Sequence, residues 1–463
     1  MLIGWSAVDV TPERPVILRG QFHARISQHV GDPLYVTALA VQAEDGGEAV
    51  IFAACDRVGV PLSIQQRIRA ALADRIPDFD PMKLVMNATH THTAYEVEEG
   101  VYPQQAPEVM TPTECADFFV PRAVDAIVEA WEGRRPGKVG WAYSHAVVGH
   151  NRRVTYAGGM SKMYGATDTP DFEHIEGYED HGVDILFTQS LEGDLTGVVV
   201  NIACPSQEVE GECYVSSDFW HEAREELRRR LGRELFVLPQ CSAAGDQSPH
   251  LLVHKREEAL MRQRRGLTAR QEIARRIGHA VHDALEVSLD DSHADLVLRH
   301  IVRTIPLPVR TVTGAEYAHA VAERDSWEAK TPAPDDTAAV SYRFMMLKRY
   351  GRVITRYQEQ DAHPTYDTEV HVVRLGDVAF ASNPYELFLD FGLRIKARSK
   401  ALQTFVMQLA GTGESSSNGY LATSRAMASR SYGAEVQDNK VGPVGGQVLV
   451  DRTLEMIDEV WEA

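Results

Sequence analysis

The 463-residue sequence predicts an α/β fold in which helices cover the sheets. Apolar, β-branched runs of strand length alternate along the chain with segments whose apolar residues recur at helical spacing. The strand-like runs are apolar almost throughout, as expected for sheets that are covered by helices. No internal repeat interrupts the alternation, and the 34 glycines and 22 prolines supply turns.

The first half of the chain begins with strand-like segments. Two apolar runs, 34–43 and 48–55, flank the turn 44–47 (Glu-Asp-Gly-Gly), which is a hairpin signal. A short apolar run at 83–87 leads directly into the histidine-rich segment 88–93. Further strands are predicted at 7–12, 184–189, 196–203 and 235–239, and helices at 62–73, 117–132 and 218–231.

The second half continues the alternation. A long helix is predicted at 268–287, with Thr268 as its N-cap and Glu272 in its first turn. Strands are predicted at 295–312, 368–375, 378–381 and 404–409, and helices at 314–330, 385–399 and 446–461. The Pro-rich segment 331–336 is interpreted as part of a surface excursion around 313–340. The chain 1–463 is therefore expected to form a single domain.

Composition excludes several functional classes. The formal charge of −19 argues against broad binding to nucleic acid or anionic membranes, because both require Lys and Arg to neutralise phosphates. The amino terminus lacks the pattern of a signal peptide, and no stretch reaches the roughly 20 apolar residues that span a bilayer. The five cysteines suggest no disulfide framework. We expect a soluble, cytoplasmic protein without stable membrane insertion, for which a homo-oligomer remains open.

The segment Thr89-His90-Thr91-His92-Thr93 gives the sharpest indication of chemistry. The two histidines point to opposite faces if the strand continues, whereas a turn at its end would aim both into one cleft. Imidazole is the commonest zinc ligand, and a neighbouring histidine can transfer protons near neutral pH. Incidental loop histidines explain the pattern equally well when it is taken alone.

Other segments of the chain supply a context for these histidines. Together with segment 88–93, and in the same order, they resemble the catalytic domain of the neutral, non-lysosomal ceramidase family. These segments are 8–12, 31–35, 151–152, 243–249, 383–388, and 419–423 with Tyr432. The resemblance implies two packed, mostly mixed β-sheets flanked by helices. It also implies a zinc-dependent enzyme that hydrolyses an amide bond.

The resemblance further implies three zinc ligands. His90 would supply an imidazole nitrogen, Glu386 a carboxylate oxygen and Tyr420 a phenolic oxygen. A zinc ion held there would polarise a carbonyl group and make hydroxide available at neutral pH. Without the resemblance, Glu386 would be assigned to the first turn of a helix, where a carboxylate favours the helix dipole. Tyr420 would be a half-buried packing residue.

Catalytic roles are implied for three more residues. His92 would be a catalytic or substrate-contacting histidine, while Arg152 and Tyr432 would bind the substrate carbonyl and stabilise the oxyanion. Fixed donors aimed at a developing oxyanion commonly supply about 3 kcal/mol each. Without the resemblance, Arg152 would be a surface charge like Arg153, and Tyr432 a packing residue.

One implied ligand is missing from the sequence. The family places a second zinc histidine in a segment resembling Asn-Phe-Ala-Cys-His-Pro, whereas residues 201–205 read Asn-Ile-Ala-Cys-Pro. Cys204 could replace the imidazole, since thiolate is a good zinc ligand. His181 could instead reach the site, or the site could hold another metal or none. Cys204 at the end of a strand also fits a small buried hydrophobic residue.

The sequence therefore predicts a metal-dependent hydrolase that most resembles an amidase. Members of the family carry a further carboxy-terminal domain and are usually exported, and this chain shows no basic amphipathic helix for a membrane surface. A small soluble substrate is expected instead of ceramide. One alternative keeps the metal cleft but cleaves a carbohydrate or another polyhydroxylated molecule. A third interpretation is a binding protein without catalytic activity.

Overall fold

The structure is a computed structural model that describes residues 1–44, 46–412 and 419–462. In the described ranges the strands, in chain order, are β1 (Leu2–Asp9), β2 (Ile17–Leu18), β3 (Arg25–Ile26), β4 (Tyr35–Gln42), β5 (Ala49–Cys55), β6 (Leu84–Ala88), β7 (Arg135–His145), β8 (His150–Asn151), β9 (Arg153–Tyr156), β10 (Ser161–Met163), β11 (Phe172–Ile175), β12 (Gly182–Ser190), β13 (Leu195–Ile202), β14 (Phe236–Cys241), β15 (Gln247–Ser248), β16 (Leu298–Pro308), β17 (Thr365–Leu375), β18 (Val378–Ser382), β19 (Glu386–Leu387), β20 (Gln403–Met407) and β21 (Tyr420–Leu421).

The helices alternate with these strands along the chain. They are α1 (Leu62–Arg75), α2 (Pro112–Glu132), α3 (Phe219–Leu231), α4 (Lys255–Arg265), α5 (Ala269–Ser288), α6 (Gly314–Glu328), α7 (Thr337–Glu359), α8 (Leu389–Arg398), α9 (Ser424–Ser429) and α10 (Gly442–Glu462). Among the described residues, no helix is long and apolar enough to cross a bilayer.

Two mixed sheets form the centre of the fold. The larger has the strand order β14-β13-β12-β7-β1-β4-β5-β6, and the smaller has the order β16-β17-β18-β20. The pairs β13–β14, β5–β6 and β18–β20 are parallel, whereas β4 and β5 form the predicted antiparallel hairpin. Asp45, within the predicted turn 44–47, lies outside the described residues.

An apolar core joins the two sheets face to face. Strand side chains alternate between faces, so one face of the larger sheet contributes residues such as Leu39 and Phe52. Val373, Phe380 and Phe405 of the smaller sheet pack against them. The ring centroid of Phe380 lies 4.7 Å from that of Phe52 and 4.4 Å from that of Phe405. The two packed, mixed sheets that the sequence predicts are therefore confirmed.

Helices cover the outer faces of both sheets. Helices α1 and α2 pack on β4, β5 and β6, while α3 and α5 pack on β12, β13 and β14. On the smaller sheet, α8 and α10 form the outer layer. Thr268 is the N-cap of α5, as predicted, and its capping box is completed by Gln271. The order of layers is helix, sheet, sheet, helix.

Two of the segments that differ from the sequence prediction are the start of α8 and the whole of α7. The helix predicted at 385–399 begins only at Leu389, because Glu386 and Leu387 pair with the short strand β21. The second difference is α7, which extends far beyond the excursion interpreted around 313–340. Its Val353 and Ile354 pack with Ala320 of α6 in a small cluster of their own. The buried side chains of α7 are polar as well as apolar, so apolar residues alone do not mark its buried face. That 1–463 form one domain stays a prediction.

Phe380 is the ring at the centre of the core between the sheets, and its truncation tests the packing. Phe380→Ala should lower the free energy of unfolding by about 3–5 kcal/mol, because it removes a buried ring that both sheets contact. Val287→Ala is the control, since Val287 is 85% exposed and its truncation should cost under about 0.5 kcal/mol. Urea unfolding followed by tryptophan fluorescence measures both. Equal losses in the two variants would contradict the packing described.

Candidate active site

His90 lies just beyond the carboxyl end of β6. Its φ of 67° is in the left-handed region, which is uncommon for a residue with a side chain and is concentrated at functional sites. Its Nδ1 lies 2.7 Å from the carbonyl oxygen of Val58. A carbonyl oxygen only accepts hydrogen bonds, so Nδ1 carries a proton. The opposite nitrogen, Nε2, therefore faces the cleft, 3.3 Å from Oε2 of Glu386.

His92 lies in the same cleft. Its Nε2 is 3.4 Å from Nε2 of His90, and the two rings meet edge to face with centroids 4.9 Å apart. The chain thus turns after β6 and brings both imidazoles together, which is one of the two geometries left open by the sequence. Burial and the neighbouring His90, Arg25 and Arg152 lower the pKa of His92 well below its usual value. The ring is therefore neutral at pH 7.

Strands β19 and β21 place Glu386 directly opposite Tyr420 in parallel register, and their side chains share a hydrogen bond. Burial acts to raise the pKa of Glu386, but His90, Arg152 and the Tyr420 hydroxyl outweigh it and lower the pKa. Burial and the charge of Glu386 raise the pKa of Tyr420 well above its usual value. The carboxylate is therefore charged, and the phenol keeps a proton to donate to it.

Arg152 follows β8 and is almost fully buried. Its Nη2 lies 3.1 Å from the hydroxyl of Tyr420 and 2.9 Å from the carbonyl oxygen of Gly245, and its Nη1 lies 3.3 Å from Oε1 of Gln207. Burial acts to lower the pKa of Arg152, but Tyr420, Tyr164 and Glu386 raise it above its usual value. The cleft thus contains a permanent positive charge beside a carboxylate.

Tyr432 borders the cleft on the far side of Tyr420. The centroids of the two rings lie 5.3 Å apart, and the ring of Phe22 lies 5.5 Å from Tyr432 on its other side. The segment is held by Arg153, whose Nη1 donates to the Tyr432 carbonyl oxygen at 2.8 Å. Arg153 is buried and forms an ion pair with Glu176 at 2.9 Å, so its interpretation as a surface charge was wrong.

Gln207 is a member of the site that the sequence did not indicate. Its Oε1 accepts from Arg152, so its Nε2 is the donor to Nε2 of His92 at 2.8 Å. The ring of His92 is neutral, so its proton lies on Nδ1. Near Cys204 only an imidazole or a thiolate would indicate a zinc ligand from the sequence. The amide of Gln207, three residues later, is not a typical zinc ligand, so the sequence alone does not indicate its role. The segment in which the resemblance implied a second zinc histidine therefore contributes Gln207 to the site.

The structure does not bring Cys204 or His181 to the histidine pair. The sulfur of Cys204 lies against the carbonyl oxygens of Val148 and Pro205, within an apolar cluster. Burial, followed by Cys241, raises the pKa of Cys204 well above its usual value, which disfavours a thiolate ligand. His181 is 30% exposed, and its Nε2 lies 3.2 Å from Oε2 of Glu179.

The donor atoms of the cleft determine whether it could hold a metal ion. Within 1–44, 46–412 and 419–462, no three His, Cys, Asp or Glu side chains gather in an arrangement that could hold a metal ion on their own. The 3.3 Å between Nε2 of His90 and Oε2 of Glu386 matches the edge of about 3.3–3.4 Å between ligands of a tetrahedral zinc site. The Tyr420 hydroxyl, which is hydrogen-bonded to Glu386, is a further oxygen donor. The spacing of His90 and Glu386, and the chemistry of the three donors, fit ligands of a zinc ion.

A cavity of about 120 Å³ reaches His90 and Glu386. Charged side chains from the segments on either side line it, among them Arg19 and Glu96, which form an ion pair at 2.7 Å. Valine, proline and glycine residues, together with Tyr95 and Leu409, form the rest of its wall. A larger groove, between α3 and α5, contains none of the residues of this cleft.

Gly20 lies so close to the ring of His92 that a side chain at position 20 would collide with it. A Cβ added at Gly20 would lie 2.4 Å from the His92 ring, and the φ of Gly20 is 119°. Gly20→Ala should therefore displace the ring and lower the free energy of unfolding by about 2–4 kcal/mol. Gly158→Ala is the matched control, because its φ of 95° is also strained while nothing lies within 4 Å of its Cβ position. Thermal and urea unfolding compare the two.

An equal loss in Gly20→Ala and Gly158→Ala would show that backbone strain alone is responsible. That outcome would contradict a close contact between residue 20 and the imidazole.

Comparison with known proteins identifies the fold. No family model and no curated protein matches the sequence. A solved structure described as a ceramidase complexed with C2 matches with a TM-score of 0.70 and 13% identity, over 100% of this chain and 75% of that one. The neutral ceramidase of Pseudomonas aeruginosa matches with a TM-score of 0.71 and 14% identity, over 99% of this chain and 74% of that one. The chain therefore has a neutral ceramidase-like fold.

Proposed function

We propose that this chain is a metal-dependent hydrolase, with zinc as its metal, that cleaves an amide (N-acyl) bond in a small soluble substrate. The observation that carries the proposal is the meeting of His90, Glu386, Tyr420 and Arg152 in one connected cluster of side chains. The fold is shared with two structures named as ceramidases. Amide hydrolysis needs an activated water, a stabilised oxyanion and a proton donor for the leaving amine.

His90, Glu386 and Tyr420 would hold the zinc ion. The hydrogen bond from Nδ1 of His90 to Val58 fixes the ring and directs Nε2 into the cleft, as is usual for histidines that bind metals. The lowered pKa of Glu386 keeps its carboxylate charged and ready to bind a cation. A bound zinc ion would supply a Lewis acid and a lowered pKa for water.

Arg152 and Tyr432 would stabilise the developing oxyanion. The guanidinium of Arg152 is held in place by Tyr420, Gly245 and Gln207, so it needs little rearrangement during the reaction. Tyr432 shares a hydrogen bond with Tyr420, and burial raises its pKa, so its hydroxyl stays protonated. Each fixed donor would contribute about 3 kcal/mol to the transition state.

His92 would transfer protons. It is neutral at pH 7, and its Nε2 lone pair accepts from Gln207 in the free protein. When a substrate displaces that amide, Nε2 is free to accept a proton from water and return it to the leaving amine. Nδ1–H stays directed at Glu210, whose Oε2 lies 3.5 Å away and would stabilise the imidazolium that forms.

A metal-dependence experiment tests the proposed function. Hydrolysis of a panel of N-acetylated amines, followed as free amine released, should disappear after dialysis against a chelator and return with Zn²⁺. Glu386→Gln preserves shape but removes the charged ligand, so kcat/KM should fall at least about a hundredfold, or about 2.7 kcal/mol. Cys204→Ser is the control and should stay within about twofold, because Cys204 lies outside the cleft.

Three outcomes would contradict the proposal. Full activity after removal of the metal would exclude metal dependence, and an unchanged kcat/KM in Glu386→Gln would remove that carboxylate from the mechanism. Release of reducing sugar from glycosides, without amine from amides, would support the carbohydrate alternative. Binding of these compounds without turnover would support a protein that has kept the cleft but not the activity.

A further inference from the structure

Helices α6 and α7 contact two segments that border the cleft. The backbone N–H of Ala24, two residues after Phe22, donates to the hydroxyl oxygen of Ser341 on α7 at 2.9 Å. Val436, four residues after Tyr432, packs with apolar residues of α6 and α7. The rings of Phe22 and Tyr432 lie against each other, so the two helices support both members of this pair.

Arg349 extends from α7 toward this pair of rings and is only 7% exposed. The central carbon of its guanidinium lies 5.2 Å from the ring centroid of Phe22 and 5.4 Å from that of Tyr432. A guanidinium over an aromatic ring at this distance is attracted to it. Among the described residues, no other cation lies over the Tyr432 ring, whereas Arg153 holds the carbonyl oxygen of that residue. Arg349 therefore contacts the part of Tyr432 that Arg153 does not hold.

The guanidinium of Arg349 also forms a buried ion pair with Asp438. Both of its terminal nitrogens contact the carboxylate, with 2.6 Å between Nη2 and Oδ2, and the side chain of Asp438 is 4% exposed. Glu435 is a weaker partner, since its Oε2 lies 3.6 Å from Nη2. A bidentate pair between a guanidinium and a carboxylate fixes direction as well as distance.

Asp438 connects this ion pair to the backbone beside both tyrosines. Its Oδ2 accepts a hydrogen bond at 3.1 Å from the N–H of Gly433, the residue after Tyr432. Its backbone carbonyl oxygen accepts from the N–H of Tyr420 at 2.9 Å. Gly419 permits this close approach, because a Cβ at that position would lie 2.5 Å from the same carbonyl oxygen. Movement of Asp438 would therefore shift both tyrosine segments.

A second arginine of α7 lies near the same carboxylate. Arg352 follows Arg349 by three residues, so the helix places the two on one face. The positive charge of Arg352 also acts on Asp438, but it forms no ion pair among the described residues, and it is exposed. Charge alone therefore does not distinguish Arg349. The difference is its fork of donors, which matches the two oxygens of Asp438.

We propose that Arg349 is a positioning residue for Tyr432 and, through Asp438, for Tyr420. This inference rests on the proposed function, because it concerns the tyrosines that would bind the metal ion and stabilise the oxyanion. Arg349 acts on the reaction only through these side chains and contacts neither the metal nor the substrate. Helices α6 and α7, which contain none of the proposed ligands, in this way support the site.

Arg349→Lys tests the inference. Lysine keeps the positive charge opposite Asp438 but replaces the planar fork with a single point of contact. For an N-acetylated amine, kcat should fall about tenfold while KM stays within about twofold, because a misplaced oxyanion donor weakens the transition state more than substrate binding. A loss of stability alone would not divide the effect between kcat and KM in this way.

Arg310→Lys is the matched control. Arg310 forms the same kind of partly buried ion pair beside α6, with Glu316 at 2.5 Å. Among the described residues, no hydrogen bond or ion pair joins either partner to Tyr420 or Tyr432. Its variant should keep kcat within about twofold of the unaltered protein.

Asp438→Asn supplies a second test through the other partner of the ion pair. Its kcat should fall in the same way, and the double variant with Arg349→Lys should be no slower than the slower single variant, because both changes remove one interaction. Losses that multiply would overturn the action through Asp438. Glu435 remains beside Arg349 in Asp438→Asn, so this variant should fold even if Arg349→Lys does not.

A crystal structure of Arg349→Lys separates the inference from the proposed function. The ring of Tyr432 should move by about 1 Å relative to Tyr420, a displacement large enough to slow a reaction severely. This movement in a protein that hydrolyses no amide would uphold the positioning role and overturn the proposed function. Hydrolysis with both tyrosines unmoved, or a kcat equal to that of Arg310→Lys, would overturn the positioning role.

Discussion

The contact between Nε2 of His90 and Oε2 of Glu386 is the interaction on which the site depends. His90 follows the last strand of the larger sheet, whereas Glu386 follows β18 of the smaller sheet. The 3.3 Å between them therefore exists only when the two sheets are packed in the observed orientation. Phe380, at the centre of the core between the sheets, helps to fix that orientation. The packing of the core therefore determines the geometry of the site.

Gln207 lies in the segment where the resemblance implies a second zinc histidine that this sequence lacks. Its amide connects His92 to Arg152. An amide holds side chains in place, but it is a poor zinc ligand compared with imidazole or thiolate. The proposed zinc site accordingly has one nitrogen donor, His90, and the amide of Gln207 fixes His92 in one tautomer. Glu210 lies next to His92 and His250 lies beyond it, so polar side chains continue from the cleft toward solvent.

The sequence predicted those features that depend on local patterns. The hairpin of β4 and β5, the N-cap at Thr268 and the position of His90 all have short-range signals, and the structure contains them. It did not predict that Glu386 lies on a strand, because the pairing with β21 joins residues more than thirty positions apart. Gln207 was missed for a related reason. Its role comes from Arg152 and His92, which are distant in sequence and meet only in the folded chain.

Anomalous diffraction at the zinc absorption edge tests the central claim most directly. Crystals of the protein prepared with zinc should show one strong peak in the cleft, about 2.0–2.2 Å from Nε2 of His90 and from a carboxylate oxygen of Glu386. A peak held instead by His181 and Glu179, or no peak at all, would contradict the account.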